Sequence, residues 1–214
     1  TVIDDDAAGI TITESGGSTS ITEAGSTDTF DIVLNTLPTS NVGLSLSMSD
    51  STEGTLSTSN ITFTTSNWST AQTVTVTGVN DNIQDGDITS SITVSLNPAI
   101  TSDTNYLALA NQTVTTSTID DDVAGFSITQ TSGSTGVTEM GGQDNVTVVL
   151  TSEPTADVTI DISSSDTGEV TVSPASITFS SGNYTTAQTV TFTGVDDFID
   201  DTNITSTMTF DVNN

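Results

Sequence analysis

The chain has 214 residues, 28 of them Asp or Glu, with no Lys, Arg, His or Cys, and so carries a formal charge of −28. Nothing in it can contact phosphate, so nucleic acid is excluded as a partner and an anionic membrane surface is disfavoured. Disulfides, thiolate and zinc-thiolate chemistry, the usual general bases and Schiff-base nucleophiles are all missing, so the chain does not read as an enzyme.

No apolar run approaches the roughly 18 residues of a membrane-spanning helix, and no stretch keeps a helical period. Instead, short runs rich in Val, Ile and Thr recur between clusters of Gly, Ser, Asn and Asp, the pattern of a β-sandwich. In chain order, strands are expected at 10–13, 29–34, 42–48, 61–64, 72–77, 88–96 and 112–118. The clearest is QTVTVT at 72–77, where Val74 and Val76 share one face and the threonines the other.

The chain then repeats itself. Shifted by 116 residues, 1–98 matches 117–214 at 47 of 98 positions without a gap. TVIDDDAAGITIT at the start returns as STIDDDVAGFSIT, and ITFTTSNWSTAQTVTVTGVND returns as ITFSSGNYTTAQTVTFTGVDD. The expected division is 1–6, the tail of a preceding repeat, then repeat A at 7–122 and repeat B at 123–214. Repeat B stops before a counterpart of the 112–118 strand. The expected fold class is therefore all-β: tandem antiparallel sandwiches of about 116 residues, the second without its last strand.

Successive strands of such a sandwich alternate in direction, so alternate loops share an end. In repeat A this gathers Glu14, Glu23, Asp28, Asp50, Glu53, Asp81, Asp85, Asp87 and Asp120 to Asp122 at one end, with only Asp103 at the other. Repeat B follows in part, although Glu153 and Asp157 flank a loop of its opposite end. Like charges about 4 Å apart repel by roughly 1 kcal/mol in water and about 4 at an effective dielectric of 20. With no protein cation available, relief must come from protonation or a bound ion. Hard carboxylate oxygens from several loops suit Ca²⁺, which takes 6–8 oxygens in flexible geometry, better than Mg²⁺ or zinc. The alternative is a set of acidic loops that are simply solvated.

The order of motifs resembles Calx-β repeats of large bacterial surface proteins. It comprises a TEAGG-like turn (TEAGS at 22–26, TEMGG at 138–142), a middle SD, an ITF strand, a TVTVTGVND strand-loop and a terminal IDDD. The resemblance implies a seven-strand sandwich binding several Ca²⁺ ions at one end. The ligands it implies in repeat A are Glu23, Asp50, Asp81, Asp85, Asp87, Asp120, Asp121 and Asp122. In repeat B they are Glu139, Asp166, Asp196, Asp197, Asp200 and Asp201. Asn80 stands where many relatives carry the first Asp of the strand-loop.

The function expected is structural: a calcium-stiffened stalk of a bacterial adhesin-type protein, extracellular or at the cell surface. Its partners would be neighbouring repeats of the same chain, without membrane insertion. The alternative is a subunit of an extracellular filament or sheath, self-assembled by β-strand pairing between subunits.

Overall fold

A computed structural model describes residues 1, 3, 5–200 and 202–213, without the side chain of Ser132. Sixteen strands and two short 3-10 turns (Ser15–Gly17 and Thr131–Gly133) make up its regular structure. By internal contacts the chain divides into two compact units. Unit 1 is Thr1–Asp81 with Asp85–Asp121, and unit 2 is Asn82–Gln84 with Asp122–Asn214.

Unit 1 contains β1 (Ile10–Glu14), β2 (Thr19–Thr22), β3 (Thr27–Leu34), β4 (Val42–Met48), β5 (Gly54–Leu56), β6 (Asn60–Phe63), β7 (Gln72–Gly78), β8 (Ile88–Leu96) and β9 (Gln112–Ile119). They form two sheets, β1-β3-β7-β5 and β2-β9-β8-β4-β6. Strand alternation decides what lies between them. On β7, Val74 and Val76 are buried and join Phe30 and Ile32 of β3, Leu44 of β4, Phe63 of β6 and Ile92 of β8 in one core. All pairings are antiparallel except β2 with β9, which is parallel in the register Thr19↔Thr116 to Thr22↔Ile119.

All seven expected strands of repeat A are present. The structure adds two, β2 and β5. Both are short, and both are fixed by partners distant in sequence, β9 and β7.

Unit 2 contains β10 (Phe126–Gln130), β11 (Gln143–Leu150), β12 (Val158–Ser164), β13 (Val170–Ser173), β14 (Ser176–Phe179), β15 (Gln188–Gly194) and β16 (Met208–Asn213). Its sheets are β10-β11-β15-β13 and β14-β12-β16. The core gathers Val146, Val148, Ile160, Ile162, Ile177, Phe179, Val190 and Phe192. Residues 136–138, the counterparts of 20–22 in β2, form no strand, and among the described residues no strand pairs with the outer edge of β16.

The end of unit 1 remote from most acids is closed by hydrogen bonds. Tyr106, 1% exposed, donates its hydroxyl to the Thr36 carbonyl at 2.7 Å. Asp103, 2% exposed, accepts from the Thr39 amide at 2.6 Å, the Thr39 hydroxyl at 2.9 Å and the Asn105 amide at 2.9 Å. Burial pushes its pKa up, yet these bonds outweigh burial and hold the carboxyl below the usual range.

Candidate metal centre

The opposite end of unit 1 is built around two buried glutamates. Glu23 follows β2. The Gly25 amide donates to the Thr22 carbonyl at 3.1 Å, closing a tight turn that Gly25 enters at φ 84°. The Glu23 amide donates to the Ile119 carbonyl at 3.1 Å, which fixes the residue beside the end of β9. Glu53 immediately precedes β5, and its carbonyl accepts from the Val79 amide at 3.1 Å, just past β7.

Gly78 makes this convergence possible. A Cβ there would lie 2.0 Å from the Thr22 carbonyl oxygen, so only glycine lets the end of β2 approach β7 so closely. The same residue pairs with Gly54 in the β5–β7 register, next to Glu53.

The loop between β7 and β8 and the segment after β9 complete the acidic end. The Gly86 amide donates to Asp120 Oδ2 at 2.7 Å, and the Asp120 amide to Asp87 Oδ1 at 3.2 Å. Those two bonds tie the Asp81–Asp87 loop to the Asp120 segment. One carboxylate oxygen each of Glu23 and Asp121 lie within 4.8 Å of each other.

Glu23 is 1% exposed and Glu53 4%. The Oε2 atoms of both are buried without a hydrogen-bond partner. The pKa of Glu23 is pushed up to about 7, first by burial and then by repulsion from Asp81, Asp120, Asp85 and Glu53. Glu53 is raised by burial, then by Asp85, Asp50, Asp81 and Asp120. Asp103 shows how this fold stabilises a buried carboxylate without an ion, by aiming donors at it. No such donor reaches Glu23 Oε2 or Glu53 Oε2, and the sequence holds no side-chain cation that could. The surroundings are the carboxyl groups of Asp50, Asp81, Asp85 and Asp120, the donor set of a hard divalent cation.

Among the residues that the sequence points to in unit 1, Glu23, Asp81, Asp85 and Asp120 are brought into mutual electrostatic reach. Asp121 is exposed, Asp122 half-buried and Asp87 exposed. Asp50 is half-buried and caps its own turn, accepting from the Thr52 amide at 3.0 Å and the Thr52 hydroxyl at 2.6 Å, bonds that lower its pKa. Glu53 is the residue missing from the sequence-based ligand set. The sequence places it at the acidic end, but its burial depends on β5, which the sequence does not announce.

In unit 2, Glu139, Asp166, Asp196 and Asp200 are exposed and Asp197 is half-buried. Asp166 accepts from the Gly168 amide at 3.0 Å and Asp197 from the Ile199 amide at 2.7 Å. Asp201 lies outside the described residues. Glu139, the counterpart of Glu23, thus has no buried setting like that of Glu23.

Two all-β sandwiches, one with a carboxylate-lined end, define the class of molecule. No protein-family model matches the sequence, and no curated protein matches it. Among solved structures, the chain is similar to the calcium binding domain CBD12 of CALX1.1, with 14% identity and a TM-score of 0.37 over 87% of this chain and 76% of that one. It is similar to the apo-form Calx CBD1 domain, with 14% identity and a TM-score of 0.38 over 53% of this chain and 98% of that one. It is also similar to the CsuC–CsuE chaperone–tip adhesion subunit complex of Acinetobacter baumannii Csu pili, with 9% identity and a TM-score of 0.37 over 94% and 97%.

Proposed function

We propose that the acidic end of unit 1 binds Ca²⁺ and that the chain is a calcium-dependent structural module of an extracellular, bacterial surface protein. The observation that carries this reading is the pair of buried, donor-less glutamate oxygens in a chain without a basic side chain. Glu23 and Glu53 would be the inner ligands. Asp81, Asp85, Asp120 and Asp121 would complete the set.

Ca²⁺ at this end has two physical effects. It offsets the mutual repulsion of the carboxylates, so the folded state gains stability. Held by Asp120 and Asp121, it also restricts the backbone dihedrals at the end of unit 1, which is what a stalk requires. A cation-binding role of this kind uses none of the nucleophiles or general bases that the composition lacks.

The test is a melting curve in excess EDTA and in 1–10 mM Ca²⁺, with Mg²⁺ and matched NaCl as controls. Binding to the native state alone stabilises by RT ln(1 + [L]/Kd), about 2.7 kcal/mol at 100 times Kd. A Ca²⁺-specific rise supports the proposal. Equal effects of Ca²⁺, Mg²⁺ and NaCl at matched ionic strength would overturn it, leaving the carboxylates merely screened.

A further inference from the structure

Unit 1 holds β2 by few ties. The strand has one partner in its sheet, β9, through a parallel register of four pairs, and parallel pairing is the weaker kind. β1, just before it, is anchored to β3 by five antiparallel pairs that end at Glu14. Between β1 and β2, Gly16 and Gly17 take φ of 66° and 87°, and nothing packs where their side chains would lie. Gly25, on the far side of β2, is equally unpacked. The edge of β2 turned away from β9 meets side chains, not a strand. The Ser20 amide donates to Asp28 Oδ2 at 2.9 Å and the Thr22 amide to Ser26 Oγ at 2.7 Å, both open to solvent. The Thr19 hydroxyl donates to Glu14 Oε2 at 2.8 Å.

What β2 buries is divided for and against docking. In its favour, Ile21 enters the core at 1% exposed. Against it stand polar groups without partners. Thr116 and Thr118 of β9 sit beside Thr19 and Ile21 in the register, are 0% exposed, and neither hydroxyl has a hydrogen-bond partner. Glu23, one residue past β2, adds its own buried and unpartnered Oε2, set against Asp81, Asp120, Asp85 and Glu53. Groups in that state are more stable hydrated than buried. Lifting β2 away would return all three to water. The Glu23 amide, bonded to the Ile119 carbonyl at 3.1 Å, continues the β2–β9 ladder, so whatever holds the carboxylate in place also holds the strand.

From these features we infer that β2 is a latch that the cation closes. The inference rests on the Ca²⁺ reading of this site. With the ion on Glu23, β2 stays paired with β9. Without it, residues 18–24 detach about Gly16 and Gly17 on one side and Gly25 on the other, and the edge of β9 at 116–119 is uncovered. The ion thereby decides whether the second sheet of unit 1 has five strands or four. Closing the latch draws on the binding free energy, so the apparent Ca²⁺ affinity is the intrinsic one multiplied by the fraction already closed.

The experiment is amide hydrogen exchange on the full chain, in excess EDTA and in 1–10 mM Ca²⁺ at one pH, with a melting curve in each. Because the Ser20 and Thr22 amides point away from β9, those of Ile21 and Glu23 point at it. In EDTA these two should exchange within about tenfold of the rate of an unstructured chain, while Ile32 on β3 and Ile92 on β8 stay protected. Ca²⁺ should slow both at least tenfold. Thr118→Val removes an unpartnered hydroxyl, keeps the shape and touches no ligand, so it should favour the closed latch. The slowing of Ile21 exchange in EDTA, multiplied by the gain in Ca²⁺ affinity, should reach at least threefold, since each reports a share of one shift in closure. If Ile21 and Glu23 are as protected in EDTA as Ile32 and Ile92 while Ca²⁺ still raises the melting temperature, the latch is overturned and the cation site stands. Loss of protection through β3 and β8 as well would also overturn it, because unit 1 then loosens as a whole. So would a Thr118→Val variant unchanged in both readouts. No response of melting or exchange to Ca²⁺ would remove the cation site and the latch together.

Discussion

At the residue scale, a carboxylate is defined by what faces it. Asp103 and Glu23 are equally buried, yet donors hold the pKa of Asp103 below the usual range, while burial and four neighbouring carboxyl groups push Glu23 up to about 7. The sign of the pH dependence follows. In EDTA the folded state keeps the Glu23 proton up to pH about 7, whereas the unfolded chain releases it near 4.5. Stability is therefore greatest below the unfolded value, falls as pH rises through the folded value, and levels off above it; denaturant melts across pH 4–8 should show this decline. Because the cation must displace that proton, Ca²⁺ affinity should weaken about tenfold between pH 8 and pH 6, as read by calorimetric titration. Glu23→Gln removes a buried, repelled charge while keeping the shape. In EDTA the variant should melt about 5 °C above the parent, and in saturating Ca²⁺ it should lose at least tenfold in affinity. A variant that melts lower in EDTA and still binds Ca²⁺ normally would remove Glu23 from the site.

At the scale of elements, seven strands of unit 1 were legible, and β2 and β5 were not. QTVTVTG and ITSSITVSL alternate between buried and more accessible positions, so β7 and β8 can be read from local pattern. β2 is four residues whose partner β9 lies almost 100 positions away, and no local signal reports a parallel pairing of that separation. β5 is three residues, GTL, which read equally well as a turn. The candidate site inherits this division. The clustering of acids followed from strand parity, but the burial of Glu23 and Glu53 follows from β2, β5 and the glycine between them. Gly78→Ala tests that dependence. Its methyl group would meet the Thr22 carbonyl oxygen, so β2 or β7 must shift; the expected loss is about 1–3 kcal/mol in denaturant melts, with a weakened Ca²⁺ response. Gly86→Ala serves as a control. Nothing lies near its Cβ, and it pays only for a positive φ of 82°, about 1 kcal/mol.

At the scale of the whole molecule, two units of one ancestry have become physically unlike. Unit 1 buries both glutamates and closes its second sheet with β9. Unit 2 leaves Glu139, the counterpart of Glu23, exposed. Calorimetry should resolve two transitions, with Ca²⁺ raising the one assigned to unit 1 by several degrees and leaving the other nearly fixed. A common shift of both transitions would mean that the exposed acids of unit 2 also hold the ion.

The parallel pairing of β2 with β9 has a consequence when the chain is pulled. Tension enters unit 1 from its start and leaves through the end of β9, so these two neighbouring strands are dragged in opposite directions along their length. Their four-residue ladder is then loaded in shear, all bonds at once, rather than peeled open one bond at a time. Pulled by its two ends, unit 1 should therefore hold to a high force and then give way in a single step, because the ladder has no first bond to lose.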